Sequence, residues 1–301
     1  MSELFSNSAG EQLLVSLRKV FEEKQVYHRK NRFIMFVCGG QLEEGQSSLR
    51  KQFIDWAEQN LQEFVCLIAE LALKDSFAGE GRSFVNLSQF EAILADVADC
   101  VLIFPESPGS FAETGFFSNS KVIRAKTLVI NPLSLQTVDS FLNLGPIDTI
   151  SSFSFLKPTV LLNASDFAPI AQRLKERVRR PEHRERLPFQ SFSQFNFKQK
   201  LLVVFEVLRL LRLATLKTLR YVLRECFGGN PKKAEVKHVL RILLAAKFIQ
   251  RAGETEYFTT IPGINLVEIE HLEVEKVFAQ IQFFYQKYSK ELYDALPEVA
   301  P

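Results

Sequence analysis

The sequence predicts an α/β fold, a Rossmann-like parallel sheet with flanking helices, followed by a C-terminal winged-helix (α+β) domain. Five near-continuous apolar runs alternate with helical patterns in the first half, as in a parallel sheet covered on both faces. Three more helical patterns and a hairpin follow, which is the order of a winged helix. With 301 residues, 47% of them apolar, the chain can form two domains with separate cores.

The elements of the first half follow from apolar spacing. Apolar runs predict strands over 33–40, 64–73, 99–106, 126–132 and 158–165. Helical periodicity predicts helices over 11–29, 47–61 and 87–98, with others beginning near 108 and 166. Ligands of such sheets bind beyond the carboxyl ends of the strands. We therefore expect the site near residues 38–40, after Phe104 and after Ile130.

The second half predicts three helices. The first covers 197–213, the second runs from an N-capping Thr215 to about 226, and the third begins with Pro231 at its first position and runs to about 247. Alternation over 248–261 predicts a hairpin, and a final helix covers about 268–296. The predicted organisation is an α/β domain over 1–170, a basic linker over 171–196, and a winged-helix-like domain with a C-terminal helix over 197–301.

Charge is distributed unevenly along the chain. Residues 172–252 contain 20 Lys and Arg against 6 Glu, a surplus of 14 positive charges. Because the whole chain carries only +2, the remainder carries −12. This asymmetry predicts an acidic part and a basic part that binds nucleic acid, and the opposite charges lead us to expect an oligomer or higher assembly.

The sequence favours a cytoplasmic protein without membrane segments. It begins without a basic stretch followed by an apolar one, and no apolar run approaches the roughly 20 residues of a membrane span. The four cysteines are scattered without metal-ligand spacing, so we expect reduced thiols, and neither they nor the four histidines predict a metal site.

The most informative stretch is FPESPGSFAETG over 104–115, a predicted strand-to-helix turn. It places Glu106 at the end of a strand and Glu113 about one turn into the next helix. One carboxylate can stabilise or capture an oxocarbenium ion while a second protonates or orients a leaving base, which suits cleavage of an N-glycosidic bond. The alternative is that Glu113 only complements the helix dipole and Glu106 is a solvated loop residue.

This turn, with its Glu113-Thr114-Gly115, resembles the motif of the nucleoside 2-deoxyribosyltransferase-like superfamily. More narrowly, FPESPGSFAETGFFSN together with FVCGG and a following Ser-x-x-Arg resembles the toxic effectors encoded beside bacterial retrons. The resemblance is strongest over about residues 31–120. It implies that Glu113 corresponds to the nucleophile and Glu106 to the acid that contacts the base. No residue matches the superfamily's additional acid, which favours hydrolysis over base exchange.

Several further residues are candidate substrate contacts. Cys38, Gly39 and Gly40 close the first strand, where a nucleotide would meet the sheet, although a tight turn alone would also explain them. Ser47, Ser48 and Arg50 offer hydroxyls, helix amides and a guanidinium to a phosphate, or serve as a cap and a surface arginine. Hydrogen bonds to a ribose or base are the predicted role of Ser110 and Asn119.

The candidate nucleic-acid contacts are basic residues of the linker and of the third C-terminal helix. A dense cationic face tracks a phosphate backbone without reading sequence. The candidates are Arg177, Arg179, Arg180, Lys232, Lys233, Lys237 and Arg241.

The resemblance implies an anti-phage toxin that hydrolyses NAD to nicotinamide and ADP-ribose, with no cofactor and with NAD or another nucleotide as substrate. Its implied partners are a retron reverse transcriptase and the retron RNA–DNA hybrid (multicopy single-stranded DNA), which hold it inactive. Two alternatives remain. The first is another enzyme, either a deoxyribosyltransferase or an enzyme that transfers ADP-ribose to nucleic acid. The second is a nucleotide-sensing winged-helix regulator without catalysis.

Overall fold

A computed structural model of the chain describes residues 4–22, 26–28, 32–40, 48–74, 87–133, 139–162, 166–178, 186–252, 256–269 and 271–296. The chain divides into two compact units. The sheet unit is Arg32–Glu182, and the helical unit combines Met1–Asn31 with His183–Pro301.

The secondary structure of the described residues is as follows. The α-helices are α1 (Ser8–Glu22), α2 (Leu49–Asn60), α3 (Ala69–Lys74), α4 (Leu87–Val97), α5 (Pro108–Asn119), α6 (Lys121–Ala125), α7 (Asp148–Phe153), α8 (Ala168–Arg177), α9 (Phe197–Leu211), α10 (Leu216–Phe227), α11 (Lys233–Ala245), α12 (His271–Tyr288) and α13 (Lys290–Asp294). The strands are β1 (Tyr27–His28), β2 (Phe33–Cys38), β3 (Phe64–Leu67), β4 (Cys100–Ile103), β5 (Thr127–Pro132), β6 (Val160–Leu162), β7 (Ala214–Thr215), β8 (Ile249–Arg251), β9 (Tyr257–Thr260) and β10 (Val267–Glu268).

The sheet unit contains a five-stranded parallel sheet in the order β3-β2-β4-β5-β6. The prediction of an α/β fold with a parallel sheet and flanking helices is confirmed. Because the chain runs from β2 outward to β3 and then back past β2 to β4, the strand order reverses between β2 and β4. Ligands of such sheets bind at this switch point, here beyond the paired Cys38 and Ile103.

Alternate side chains of β2 pack on opposite faces of the sheet, and all six residues of the strand are buried. Met35 and Val37 belong to a core that includes Phe53 of α2. On the other face, the ring of Phe36 lies 6.2 Å from that of Phe117 on α5. Burial on both faces explains why the strand sequence is continuously apolar.

The helical unit is built around α9, whose apolar residues are buried almost all round. Helices α10, α11 and α12 contact α9, and α1 contacts α10 and α12. A three-stranded antiparallel sheet has the order β7-β9-β8, and β1 pairs with β10. The N-cap of α10 is Thr215 as predicted, accepting a hydrogen bond from the Thr218 amide at 3.2 Å.

Several predicted elements differ from the structure at their ends. The helix predicted over 11–29 is α1, which ends at Glu22, and Tyr27–His28 forms strand β1 and pairs with β10. The predicted strand over 64–73 ends at Leu67, and its second half forms α3, since Ala, Glu, Leu and Lys favour helix over strand. Pro231 precedes α11 rather than occupying its first position, because Lys232 is the N-cap. Ser289 separates α12 from α13 within the predicted final helix.

The compact units also differ from the predicted domain boundaries, which placed residues 1–170 in one domain. Helix α1 belongs to the helical unit because its apolar face packs there, with the Phe21 ring 5.0 Å from that of Phe227. Within the predicted linker over 171–196, Leu174 of α8 lies in the core of the sheet unit, whereas Phe195 packs on Phe227 in the helical unit.

No helix among the described residues is long and apolar enough to cross a membrane. The four cysteines form no disulfide; Cys38, Cys100 and Cys226 are buried and Cys66 is half-buried.

Candidate active site

The turn between β4 and α5 is shaped by a pair of serines. Ser107 caps α5, accepting a hydrogen bond from the Ser110 amide at 3.2 Å, and the Ser110 hydroxyl accepts one from the Ser107 amide at 2.9 Å. The same Ser110 hydroxyl accepts from the Glu106 amide at 3.0 Å and donates to the Ser107 carbonyl. The Ser110 side chain, a predicted substrate contact, is fully buried and holds the turn.

The Glu106 carboxylate is held by three backbone amides, two at the start of α2 and one in the turn after β2. Its Oε1 accepts from the amides of Gly40 and Arg50, both at 3.0 Å, and its Oε2 accepts from the Leu49 amide at 2.8 Å. A carboxylate is favoured there because the first amides of a helix are unsatisfied and carry partial positive charge. Glu106 therefore joins β4 to the start of α2 and to the turn after β2.

The Glu106 carboxylate occupies the position at the start of α2 where the sequence predicted a bound phosphate. The amides of Leu49 and Arg50 are the helix amides expected to bind an anion, and they already bind Glu106. Ser48 caps α2 through the Lys51 amide at 3.1 Å, and Ser47 lies outside the described residues.

The turn after β2 requires glycine because of close packing. A Cβ on Gly39 would lie 2.7 Å from the Arg50 Cβ, and one on Gly40 would lie 3.0 Å from the Ser48 Cβ and 3.2 Å from the Glu106 carboxyl carbon. The two glycines therefore allow the strand end to approach the start of α2 and Glu106.

Arg50 points into the protein rather than toward solvent, with 3% of its surface exposed. Its two terminal nitrogens bind the two carboxylate oxygens of Glu70 at 2.7 and 2.9 Å, and one of them also donates to the Gly40 carbonyl. A bidentate pair fixes the guanidinium plane. The predicted phosphate contact is thus a buried guanidinium paired with the Glu70 carboxylate of α3, whose side chain is 50% exposed.

Glu113 lies on α5 with one buried oxygen. Its Oε2 is buried and has no hydrogen-bond partner among the described residues. Burial raises the pKa of Glu113 above its usual range; the Arg50 charge opposes the shift, and the Glu70 charge adds to it. A buried polar atom without a partner is costly unless a ligand or water supplies one. The oxygen thus marks a place where a substrate group can bind.

Glu91 of α4 is the residue that sequence reasoning missed. Burial raises the pKa of Glu91 to about 7, the charges of Glu113 and Glu70 add to the shift, and Arg50 opposes it. We call Glu70, Glu91 and Glu113 the carboxylate cluster. They come from three different helices, yet the charges of Glu113 and Glu70 lie near enough to raise the pKa of Glu91, and the Glu70 charge raises that of Glu113. The only sequence signal was an acid among the apolar residues Phe90, Ile93 and Leu94 of an amphipathic helix.

The remaining predicted contacts of this site differ in their surroundings. The thiol of Cys38 is buried beside Glu113, to whose carboxyl it donates a hydrogen bond, and burial raises the pKa of the thiol well above its ordinary value. Asn119 is exposed at the end of α5 and donates to the Gly115 carbonyl at 2.9 Å. Six residues turn a helix by about 240°, so Asn119 and Glu113 lie on different sides of α5.

The carboxylate cluster can perform acid–base and electrostatic chemistry on a glycosidic bond. A carboxyl group with a pKa near 7 exists in both protonation states at neutral pH and so can give or take a proton. A second carboxylate in the same surroundings can stabilise positive charge on an anomeric carbon. No group of three or more His, Cys, Asp or Glu side chains in the described parts of the chain is arranged to hold a metal ion.

Of the predicted nucleic-acid contacts on α11, only part is exposed. Lys232 and Lys233 are exposed at the start of α11, whereas Lys237 and Arg241 are 7% and 8% exposed. The Arg177 guanidinium, in the sheet unit, donates to the carbonyls of Phe155 and Lys157. Arg179 and Arg180 lie outside the described residues.

Two curated relatives from Escherichia coli are similar to parts of this chain. One, named "Retron Ec86 putative ribosyltransferase/DNA-binding protein", is 32% identical over 162 residues, which are 51% of this chain and 48% of the relative. The other, "Retron Ec73 putative ribosyltransferase/DNA-binding protein", is 35% identical over 121 residues, 40% of this chain and 38% of the relative. The matched regions span about half or less of each relative.

A family model described as the STM3845 retron effector protein matches residues 46–251. The match runs from just before α2, through Glu70, Glu91, Glu106 and Glu113, to the end of β8. Because it covers more than half of the sequence, the chain belongs to the STM3845 retron effector protein family.

Proposed function

We propose that this chain is a retron effector of anti-phage defence that hydrolyses an N-glycosidic bond of a nucleotide, with NAD as the principal substrate. The observation that carries the proposal is the carboxylate cluster near the switch point of a doubly wound sheet, with a buried Glu113 oxygen that has no partner. The printed description of both relatives as ribosyltransferases supports chemistry at an anomeric carbon.

In the proposed reaction, the bond between ribose C1′ and the nicotinamide nitrogen breaks, and its electron pair leaves with nicotinamide. That leaving group departs as a neutral molecule, because the bound pyridinium carried a positive charge, so it needs no proton. The Glu113 carboxylate stabilises or captures the oxocarbenium carbon. Water then adds to C1′ and loses a proton to Glu91, and where Glu113 had captured the carbon its C1′–O bond breaks with the electron pair returning to the carboxylate. The product is ADP-ribose, and no cofactor is required.

Glu91 serves the opposite role for a neutral nucleoside. A purine base leaves as a poor anion unless it is protonated, so a protonated Glu91 would have to donate to it. Hydrolysis of NAD should therefore increase as the pH rises through about 7, and hydrolysis of a purine nucleoside should decrease over the same range. The direction of the pH profile distinguishes the two substrate classes.

The proposal is tested by incubating the purified chain with NAD and measuring nicotinamide and ADP-ribose by chromatography. We expect both products from the wild type and none from Glu113→Gln. A matched control is Asp96→Asn, an exposed acid on the same helix as Glu91. Absence of nicotinamide from NAD, together with equal toxicity of wild type and Glu113→Gln in cells, would contradict the proposal.

Transfer to an acceptor other than water is the second candidate, favoured by the word ribosyltransferase in the relatives' names. The same cluster would then activate a nucleophile on a base or a nucleic acid in place of water. Mass spectrometry of the products distinguishes the candidates, since hydrolysis gives free ADP-ribose and transfer gives a modified acceptor of correspondingly greater mass.

For the helical unit we propose a winged-helix-like DNA-binding role. Helices α9, α10 and α11 with the β7-β9-β8 sheet have the element order of a winged helix, and both relatives' names include DNA-binding. In this proposal a retron reverse transcriptase and its multicopy single-stranded DNA bind the effector and keep it inactive. Release of activity when the partner DNA is degraded, measured as nicotinamide formation, is the corresponding test.

A further inference from the structure

Helix α10 has a cationic side that the sequence analysis did not single out. Leu219, Val222 and Leu223 are fully buried on its inner side. The opposite side carries four polar residues at positions i, i+3, i+4 and i+7, which lie along one stripe of a helix. With the start of the following segment they form the α10 groove, lined by Lys217, Arg220, Tyr221, Arg224, Asn230 and Pro231.

The α10 groove has a volume of about 360 Å³ and is cationic. Three of its six lining residues are Lys or Arg, and none is acidic. Glu225 binds Arg224 at 2.7 and 2.9 Å but leaves Lys217 and Arg220 uncompensated within the groove. The lining therefore favours an anion, and its length along two helical turns favours a chain of anions over a single ion.

Two contacts orient groups toward such a ligand. The Nε of Arg220 donates to the Pro231 carbonyl at 2.9 Å, which fixes the guanidinium at the wall of the groove. The Arg224 guanidinium lies over the Tyr221 ring, with 5.2 Å between its carbon and the ring centroid. An arginine beside an aromatic ring offers a phosphate contact next to a surface on which a base or sugar can pack.

We infer that the α10 groove binds the phosphodiester backbone of a nucleic acid, with Lys217, Arg220 and Arg224 on phosphates and Tyr221 against the adjoining nucleoside. The inference rests on the proposed DNA-binding function and changes its location from α11 to α10. On α11, Lys237 and Arg241 are buried, so that helix does not present the row of four cations that its sequence predicted. Because the groove offers charges and one ring, binding is largely independent of base sequence.

The test uses the purified full-length chain and a fluorescein-labelled single-stranded DNA of 20 nucleotides and mixed sequence. Fluorescence anisotropy gives the dissociation constant over a series of salt concentrations. The test variant is Lys217→Ala/Arg224→Ala, because it leaves the hydrogen bond from Arg220 to the Pro231 carbonyl intact. Lys287→Ala/Lys290→Ala removes two exposed charges from α12 and α13 and is the matched control.

We expect the α10 variant to bind about tenfold more weakly or worse, and its slope of log affinity against log salt to decrease by about 1–2, since each phosphate contact contributes about one. The control should bind within about twofold of the wild type. Equal binding by both variants would overturn the inference while leaving DNA binding itself intact. No binding by the wild type at 50 mM salt would overturn the proposed DNA-binding function as well.

Discussion

Glu106 lies in the turn before α5 and Glu113 lies within α5, and the structure gives their carboxylates opposite surroundings. Three backbone amides bind the Glu106 carboxylate at 2.8–3.0 Å. One Glu113 oxygen is buried with no partner in the described residues, and burial raises the pKa of this group. The Glu106 carboxylate joins β4 to the start of α2, whereas Glu113 keeps one oxygen that a ligand group could still bind.

The surroundings of Glu106 favour a role other than the one that the resemblance implied. The resemblance implied that Glu106 contacts the base, and its hydrogen bonds to Gly40, Leu49 and Arg50 instead support a positioning role. Glu91 and Glu70 accompany Glu113 in the carboxylate cluster. We therefore expect substitutions at Glu113 and Glu91 to change the reaction and those at Glu106 to change the fold as well.

The largest effect is expected from Glu113→Gln. It removes the negative charge that stabilises the oxocarbenium carbon but keeps the shape of the side chain, so the rate of nicotinamide release should decrease about a thousandfold. The free energy of unfolding should stay the same or increase, because a buried charge is removed. A comparable loss of activity in Asp96→Asn would mean that the loss is not specific to the cluster.

Glu91→Gln should lower the rate about a hundredfold, which is typical of the loss of a general acid or base. The wild type should gain NAD-hydrolysing activity as the pH rises through about 7, because Glu91 must be deprotonated to accept a proton from water. The variant should lack this rise. A rise through pH 7 that persists in Glu91→Gln would assign the titration to another group.

The same raised pKa predicts a stability effect of Glu91. The folded protein holds the Glu91 proton up to about pH 7, whereas the unfolded chain releases it near the ordinary value of 4.5. The stabilisation is therefore present below about pH 4.5 and is lost as the pH rises to 7. At pH 8 we expect Glu91→Gln to have a free energy of unfolding higher than that of the wild type by an amount on the order of 1 kcal/mol, after discounting for partial exposure to solvent. Its melting temperature should be higher accordingly. Equal melting temperatures at pH 8 would contradict this.

Glu106→Gln should lower the free energy of unfolding by about 1–3 kcal/mol, because the new amide group faces a backbone N–H that then lacks an acceptor. We expect a decrease in activity of about tenfold through displacement of the turn and of Arg50. Chemical denaturation and initial rates measure the two effects. If this variant is as inactive as Glu113→Gln but fully stable, Glu106 contacts substrate and the contrast between the two acids fails.

The smallest effect is expected from Ser107→Ala. Loss of the N-cap of α5 should lower the free energy of unfolding by about 1 kcal/mol and the rate by a few-fold, because the helix that carries Glu113 loses its anchored start. Ser120→Ala, which removes the cap of α6, is the matched control and should lower stability with unchanged activity. Equal rates in the two variants would show that the cap does not position Glu113.

The fold of the sheet unit was predictable because its signals are local. Strands such as β2 and β4 are buried on both faces, so their sequences are continuously apolar, and Ser48 is a favourable cap of α2. The strand over 64–73 was partly wrong because apolar residues alone do not distinguish a buried strand from a buried helix. The placement of α1 depends on contacts between residues more than 200 positions apart, such as Phe21 with Phe227.

The candidate site was predictable only in part. The motif predicted Glu113. No motif marks Glu91, and only the fold brings it near enough for the Glu113 charge to raise its pKa. Arg50 was an apparent phosphate ligand because a sequence does not reveal that Glu70 binds its guanidinium. The sequence predicted that four cations of α11 contact nucleic acid, because it does not reveal that Lys237 and Arg241 are buried.

By itself the sequence determined the alternation of strands and helices, the turn that carries Glu106 and Glu113, and the basic character of residues 172–252, because periodicity, capping and charge are properties of neighbouring residues. The tertiary structure alone decided which carboxylate is satisfied by amides, which acids share the carboxylate cluster and which cations line the α10 groove. Those outcomes depend on desolvation and on distances between residues far apart in the chain, which no local pattern encodes.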